Sequence, residues 1–410
     1  MARVVDNTDS RRFDSSPLFL DVETTTHNKG HPFDPRNKLV SYVYKTGILD
    51  ASFKYHSDPG FSSDIASSHQ GKVVLVGFNI KFDLHWASSA NVVDSDSSSV
   101  QIWDCQLAEF VLSGQKDKLL SLDEVLERYG LPLKKGDLVK EYWEVGVQTD
   151  EIPVEILKEY NLADVEPLPQ VFQYQWDRCT PLQRKLVFLL GEDMKVLMEM
   201  ERKGIKFDKE GAQRKLDELK GSLEKVEAEL QALLPPIQMG KFNWDSGDHL
   251  SALLYGGEIT FDYATEEESV YKSGDKKGQA YTKRSWKTET VLFPQRFKPL
   301  EGTEVKKTKD DPKATTRFFQ VDDPTLKQLT TRSKENKHLL TLLMERAKQI
   351  KLAEMLTTLF EKSETMNWQD GCIHPQYNQN IVATGRLSSS GPNMQNQPPA
   401  VDEFLVSRYD

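Results

Sequence analysis

The feature that most constrains the fold is the run KVVLVGFN, residues 72–79, which is apolar at almost every position. A strand with apolar side chains on both faces must be covered on both faces, and helices usually supply that cover. The runs PLFLDVE and KLVSYVY predict two earlier strands. Helices are predicted for IWDCQLAEFVL and for SLDEVLERYG, where Ser121 and Glu124 form a capping box. The first part of the chain, about 17–177, therefore predicts an α/β domain.

A stripe of apolar residues spaced by three and four marks the second part of the chain. Its members are Leu216, Leu219, Leu223, Val226, Leu230 and Leu233. The stripe predicts a long helix that packs along its length, with Asp208 as N-cap and Pro235 after its end. A second long helix, near Leu326–Phe360, is its expected antiparallel partner. We therefore expect the region from about 181 to 365 to be mainly helical.

Between these two helices lies a basic segment, residues 272–313, with twelve Lys or Arg against six Asp or Glu. The whole chain, in contrast, has 410 residues and a net charge of -10. Aromatic residues interleaved with cations are typical of a contact with a nucleic-acid backbone. A solvated loop explains the composition equally well. The candidate contacts are Lys276, Lys277, Lys283 and Arg284.

Composition excludes several classes of site. The three cysteines form no CxxC pair and no disulfide framework, which favours a reducing cytoplasm and argues against zinc. No apolar run approaches the ~20 residues that span a bilayer, and the first residues do not resemble a signal peptide. No Gly-rich phosphate loop is present. The remaining candidates for chemistry are carboxylates.

Four carboxylates lie at positions that could bring them together. Asp21 and Glu23 share one face of a strand, because side chains alternate with a period of two. Asp83 follows the buried strand, and Asp164 lies one helical turn after Tyr160. Each residue alone is more often an ordinary surface group. Together, without a His or Cys cluster, they predict a site for two Mg²⁺ or Mn²⁺ ions, which can clamp the reacting oxygens of a phosphodiester.

The order of these residues resembles the DEDDy group of 3′–5′ exonucleases. The matching motifs are Asp21-x-Glu23, Asn79-x-x-x-Asp83 and Tyr160-x-x-x-Asp164. The resemblance implies an RNase H-like fold for residues 1–180. It also implies that the four carboxylates hold two metal ions, that Tyr160 positions the attacking water and that Asn79 contacts DNA.

Pro167 and Pro169 depart from the pattern of that group, in which one helix runs through the Tyr-x-x-x-Asp motif and beyond. A proline inside a helix removes a hydrogen bond and costs ~3 kcal/mol. We therefore expect the helix to kink or restart near Glu166. A kink before Asp164 would disturb its geometry with Tyr160.

The segment TGRLSSSGPNMQNQP, residues 384–398, resembles family A DNA polymerases where thumb meets palm. The runs MERKGIKFD and FNWDSGDHLSALLYGG resemble the start of the thumb, particularly in phage members. The resemblance implies a thumb over 181–366 and the first edge of a palm over 367–410. It further implies contacts to the primer–template duplex from Thr384, Arg386, Asn393, Gln395 and Asn396.

The sequence thus predicts the proofreading part of a phage family A DNA polymerase, which hydrolyses DNA from its 3′ end. In that family the catalytic aspartates of the palm follow a segment like FLVSRYD. We therefore expect no polymerase activity from this chain alone, and a palm and fingers portion present as a separate chain or a missing segment. A naturally split gene and a truncated polypeptide both remain open. Without that portion, residues 370–410 are expected to be weakly held.

Two alternatives remain. The first is a stand-alone DEDD exonuclease that acts on RNA. The second is a non-catalytic, DNA-binding half of a split polymerase.

Overall fold

A computed structural model describes residues 17–47, 49–67, 72–133, 138–270, 272–274, 278–305, 318–368 and 370–407. Its strands are β1 Pro17–Thr24, β2 Leu39–Thr46, β3 Ser52–Tyr55, β4 Val73–Gly77, β5 Val100–Asp104, β6 Ile205–Phe207, β7 Gly257–Val270, β8 Ala280–Phe293, β9 Glu304–Val305, β10 Phe318–Phe319, β11 Cys372–Ile373, β12 Gln376–Asn378, β13 Ser388–Ser390 and β14 Leu405–Val406. Its helices are α1 Lys81–Ser89, α2 Cys105–Leu112, α3 Leu122–Tyr129, α4 Leu138–Glu144, α5 Val154–Val165, α6 Leu168–Arg178, α7 Pro181–Lys203, α8 Lys209–Ala232, α9 Gly247–Tyr255, α10 Asp323–Gln328 and α11 Lys334–Thr365.

The chain divides into two compact units. The first contains residues 1–211 and 355–410, and the second contains residues 212–354. The first and third of the predicted segments, 1–180 and 367–410, thus fall in one unit. The predicted domain boundaries themselves stay predictions.

A mixed five-stranded sheet forms the centre of the first unit, in the order β3-β2-β1-β4-β5. β1 pairs antiparallel with β2 and parallel with β4, and β4 pairs parallel with β5. All five residues of β4 are buried, as the apolar run requires. Apolar clusters cover both faces, with Leu18 and Leu75 in one and Phe19 and Val76 in the other. The predicted α/β class is thus observed in this unit.

The predicted helix IWDCQLAEFVL is wrong in its first three residues. Ile102, Trp103 and Asp104 end strand β5, and the helix begins at Cys105. Asp104 accepts hydrogen bonds from the backbone N–H groups of Gln106 and Leu107 and is therefore the N-cap. Ile102 and Trp103 are fully buried in the sheet beside β4, and this non-local pairing overrides the local helical pattern.

Residues 370–407 are held more firmly than the sequence predicts. β6 pairs antiparallel with β11 on one side and with β14 on the other. Phe404 is buried, and its carbonyl accepts a hydrogen bond from the N–H of Asp208. Ladder pairing with β6 satisfies backbone groups that a mobile tail would leave to water. The expectation of a weakly held segment is therefore wrong for β11, for β14 and for Phe404.

In the second unit the apolar stripe is observed as core packing. Val226 and Leu230 of α8 lie in one cluster with Leu339 and Leu343 of α11. Side chains of the two helices also pair in antiparallel order. Arg346 donates to Glu227 at 2.8 Å, and Gln349 donates to Ser222 at 2.9 Å. The predicted Leu326–Phe360 helix is wrong at its start, because α10 ends at Gln328 and α11 begins at Lys334.

Part of the basic segment is a strand and not a loop. β7 and β8 form an antiparallel hairpin of two 14-residue strands, so residues 280–293 are extended and paired. The run AYTKRSWKTETVLF is rich in Thr, Val and aromatic residues, which favour strands. Its pairing partner, β7, precedes the basic segment in the sequence. Lys276 and Lys277 lie outside the described residues.

In the part of the chain that the structure describes, no helix is both long and apolar enough to cross a bilayer. The cysteines Cys105, Cys179 and Cys372 are all buried free thiols.

Candidate metal centre and nucleic-acid contacts

Strand β1 places two carboxylates on one side of the sheet. Asp21 and Glu23 are half-buried and alternate with the buried Val22 and Thr24, as the period of two predicts. β1 pairs with β4 from Pro17 to Phe19, and at Asp21 and Glu23 the ladder with β2 fixes its backbone. The register with β2 shifts between Glu23 and Thr24, just beyond the second carboxylate.

Helix α5 brings a third carboxylate to the same place. Ligand oxygens of Asp21, Glu23 and Asp164 all lie within 4.8 Å of one another. The helix is continuous from Val154 to Val165, and a new helix begins at Leu168. Pro167 stands at the N-cap of that second helix, where its missing N–H costs little. The restart predicted near Glu166 is thus observed, and the turn from Tyr160 to Asp164 is intact.

Asp83 joins this site from helix α1. It is buried, and its Oδ1 accepts a hydrogen bond from the N–H of Val22 at 3.1 Å. Val22 lies between the two carboxylates of β1, so this bond fixes α1 directly against them. Burial raises the pKa of the Asp83 carboxyl well above its ordinary value, and the negative charge of Asp21 raises it further.

Asn161 was not predicted from the sequence, yet it contacts the site directly. Its Nδ2 donates to Asp21 Oδ2 at 3.4 Å, and its Oδ1 accepts from the Ser41 hydroxyl at 2.6 Å. Both Asn161 and Ser41 are fully buried. Asn161 occupies the position on α5 that continues the buried face from Leu157 to Asp164. Its position on the buried face of the helix could have identified Asn161 from the sequence, because a buried amide requires hydrogen-bond partners.

Tyr160 is half-buried and packs at the edge of an apolar cluster that contains Val40 and Leu157. Its ring meets Trp143 edge to face, with ring centroids 5.8 Å apart. This contact fixes the ring one helical turn before Asp164. Its role in positioning water stays a prediction.

Asn79 is exposed and has a φ of 56°, in the left-handed region that few residues other than glycine adopt. Its N–H donates to Asp104 Oδ1 at 3.0 Å, which holds the turn between β4 and α1. Asp104 is a second residue that the sequence did not single out. Burial raises its pKa to about 6, although backbone donors oppose the rise. The predicted contact between Asn79 and DNA stays a prediction.

The residues with a predicted role at the duplex are all exposed. They are Thr384, Arg386, Asn393, Gln395 and Asn396. Their segment contains strand β13, which pairs with β12. Below this surface, Ser389 accepts from the N–H of Met394 at 3.2 Å, and Met394 is buried. The segment therefore has an anchored inner side and an exposed polar side.

The described cations of the hairpin face acidic residues. Arg284 pairs with Glu266 at 3.2 Å, and Lys283 stands opposite Glu267 in the strand register. Lys287 also approaches Glu267 at 3.5 Å. These exposed pairs reduce the net positive charge that the composition of the segment suggests. Exposed pairs of this kind contribute little to stability.

The donor set fits a hard divalent cation. Three clustered carboxylates supply oxygen ligands, and Asp83 adds a buried one beside them. Oxygen donors of this kind suit Mg²⁺ or Mn²⁺. Asp21, Glu23, Asp83 and Asp164 are thus the residues that would hold the ions.

Replacing Asn161 with Ala should weaken Mn²⁺ binding by about 10–100-fold, because partners that orient a ligand typically contribute this much to metal affinity. Mn²⁺ titration followed by electron paramagnetic resonance measures the effect. Gln173→Ala, an exposed amide on α6, is the matched control and should bind Mn²⁺ as the wild type does. Wild-type affinity in Asn161→Ala would show that the amide does not orient Asp21.

Comparison with known proteins adds three findings. Residues 288–406 match the family model described as DNA polymerase family A. DNA polymerase I of Synechocystis sp. is 26% identical over 302 residues, which cover 72% of this chain and 24% of that protein. The POL domain of Pol1 from M. smegmatis, in complex with DNA primer-template and dNTP, superposes with a TM-score of 0.62 at 16% identity. That alignment covers 96% of this chain and 55% of the other.

The chain thus spans about a quarter of the length of this curated relative. The family match includes the exposed segment from Thr384 to Asn396 and none of the four carboxylates. At 16% identity, the likeness to the M. smegmatis domain concerns the fold alone. By the family match and the curated relative, the chain is related to the family A DNA polymerases.

Proposed function

We propose that this chain carries a 3′–5′ exonuclease site within a family A DNA polymerase. It would remove nucleoside 5′-monophosphates from the 3′ end of DNA, as a proofreading activity does. The observation that carries the proposal is the meeting of Asp21, Glu23 and Asp164 within 4.8 Å, with Asp83 bonded to the strand between the first two. An RNase H-like architecture and the phage origin suggested by the thumb motifs belong to the same proposal.

In this reaction a water attacks the terminal phosphodiester, the bond from phosphorus to the 3′ oxygen breaks, and a new 3′-hydroxyl is left. Two bound Mg²⁺ or Mn²⁺ ions would supply charge stabilisation for the attacking and leaving oxygens. Asn161 orients Asp21, and Val22 fixes Asp83 through its N–H. The Tyr160 hydroxyl would orient the water, and Asn79 would contact the strand near its end.

Replacing Asp21 or Asp83 with Ala should abolish the release of nucleotides from a 5′-labelled single strand in Mg²⁺. Each change removes a proposed metal ligand and relieves carboxylate repulsion in the metal-free protein, so Asp21→Ala should lose little stability. Asp83→Ala should lose more, because it leaves the buried N–H of Val22 without its acceptor. Asp177→Ala, an exposed carboxylate on α6, is the control and should leave the rate unchanged. EDTA should stop the wild-type reaction.

Tyr160→Phe should cause a partial loss of activity in the same assay. It removes only a hydroxyl, so turnover should fall by about 100-fold while Mn²⁺ binding persists. Tyr174→Phe, a partly exposed tyrosine on α6, provides the matched control.

Near wild-type cleavage by the Asp21 and Asp83 variants would overturn the exonuclease proposal. Faster degradation of RNA than of DNA of equal sequence would favour the stand-alone ribonuclease instead.

A second function, positioning of a primer–template duplex for synthesis, is favoured by the family match over residues 288–406. The exposed side chains from Thr384 to Asn396 lie within that range. Their polar groups suit the minor groove and backbone, where base acceptors are similar in every sequence. We propose that these residues contact duplex DNA.

The hairpin gives a further test of DNA binding. Replacing Lys276, Lys277, Lys283 and Arg284 with Gln should weaken duplex binding and flatten its salt dependence. The slope of log K against log salt falls by about 0.9 for each phosphate that the protein no longer neutralises. Because Arg284 already pairs with Glu266, we expect a total change smaller than four neutralised phosphates would give. Lys185→Gln, an exposed cation on α7, is the control, and an unchanged slope would make the hairpin a solvated surface.

A further inference from the structure

Glu201, near the end of α7, is a buried carboxylate that the proposed reaction does not use. Its side chain is 1% exposed. Oε1 accepts from Lys81 Nζ at 2.5 Å and from the N–H of Tyr377 at 2.7 Å. Oε2 forms a 2.6 Å hydrogen bond with His85 Nε2. One carboxylate therefore joins helix α1 to strand β12, which lie almost 300 residues apart in the sequence.

The charge state of Glu201 suits this junction. Burial of the carboxyl raises its pKa, but the hydrogen bond from His85 and the charge of Lys81 outweigh burial and lower the pKa overall. Burial also lowers the pKa of His85, although Glu201 opposes that shift. An ionised Glu201 can only accept, so the Nε2 of His85 must carry a proton and donate it. All three donors are thus satisfied by two oxygens.

The two α1 donors stand on either side of a proposed metal ligand. Lys81 and His85 are each two residues from Asp83. Lys81 also donates to the carbonyl of Tyr377 at 2.5 Å. On its other side α1 is fixed by the bond from the N–H of Val22 to Asp83 and by Trp86 Nε1, which donates to the carbonyl of Gly30 at 3.2 Å. The position of Asp83 therefore depends on Glu201 from one direction and on strand β1 from the other.

The second connection runs through His374. Its Nδ1 forms a 2.8 Å hydrogen bond with the carbonyl of Glu201, and its Nε2 lies 3.2 Å from Asp370. The Phe33 ring stacks on His374 with centroids 4.8 Å apart. Residues 370–378 are thus seated on the last turn of α7. They immediately precede the segment with the proposed duplex contacts.

We propose that Glu201 is a positioning residue, which holds Asp83 in place through Lys81 and His85 while Tyr377 is seated on it. The link to catalysis rests on the proposed exonuclease function. The chemistry requires a carboxylate, because Glu201 accepts from three donors. Glutamine would offer one acceptor oxygen and would turn an NH₂ group toward a donor. Its neutral amide would also leave the partly buried Lys81 without its counter-charge.

Glu201→Gln is the variant to measure, first without metal or DNA. Hydrogen exchange should become faster in two separate segments together, α1 at 81–89 and strand β12 at 376–378. Mn²⁺ affinity should fall by about 10–100-fold, as for other residues that orient a ligand. Nuclease activity should recover as Mn²⁺ is raised, with an unchanged KM for DNA. Glu192→Gln, an exposed position on the same helix, should change none of these.

Lys81→Gln keeps the proposal testable if Glu201→Gln fails to fold. It removes one branch of the junction, and we expect smaller changes in the same two segments. Faster exchange in 376–378 with unchanged exchange in α1 and wild-type Mn²⁺ affinity would overturn the proposal. A wild-type protein that binds Mn²⁺ but cleaves no DNA would defeat the exonuclease function alone, since the exchange measurement requires neither metal nor substrate.

Discussion

Repulsion among clustered carboxylates is the constraint on which the rest of the first unit depends. Asp21, Glu23 and Asp164 bring oxygens within 4.8 Å of one another. Two unit charges 4 Å apart repel by about 1 kcal/mol in water and by about 4 kcal/mol at an effective dielectric near 20. Apolar packing must hold them against this force. Leu157 and Val165, both fully buried, anchor the same face of α5 that carries Asp164. The cluster is therefore stable only as part of a closed core. A bound cation would turn the net repulsion among the carboxylates into a net attraction to the cation.

Two neutral donors contact the carboxylates of this cluster. Asn161 reaches Asp21 with an amide, and the N–H of Val22 reaches Asp83. Neither donor carries a formal charge that would compete with a divalent cation for the carboxylates. The charged donor nearby, Lys81, points instead to Glu201. A lysine paired with Asp83 itself would lower the pKa of that carboxyl and would also occupy its oxygens. The ion pair between Lys81 and Glu201 thus stabilises α1 without occupying the oxygens of Asp83.

The parts that sequence predicted are those set by local periodicity. The period of two placed Asp21 and Glu23 on one face, and the intact helical turn placed Tyr160 before Asp164. Glu201 could not be found in this way, because its partners lie more than 100 residues away on both sides. On α7 it continues the buried face formed by Leu197 and Met198, where a charged residue signals a partner but does not identify it. Long-range hydrogen bonds therefore could not be predicted from the sequence, although the sequence contains their donors and acceptors.

The hairpin illustrates why composition alone misjudges charge. Counted along the chain, residues 272–313 have twice as many cations as anions. Across the ladder, however, strand β8 faces the acidic run of β7, and Arg284 pairs with Glu266 at 3.2 Å. The electrostatic field away from the hairpin depends on the charges of both strands. A count over residues 272–313 leaves out the acidic residues of β7. Salt weakens exposed pairs of this kind, and a polyanion can displace the acidic partner from the same cation. Any affinity of the hairpin for DNA therefore includes the cost of breaking its own ion pairs, which makes it weaker than the charge count implies.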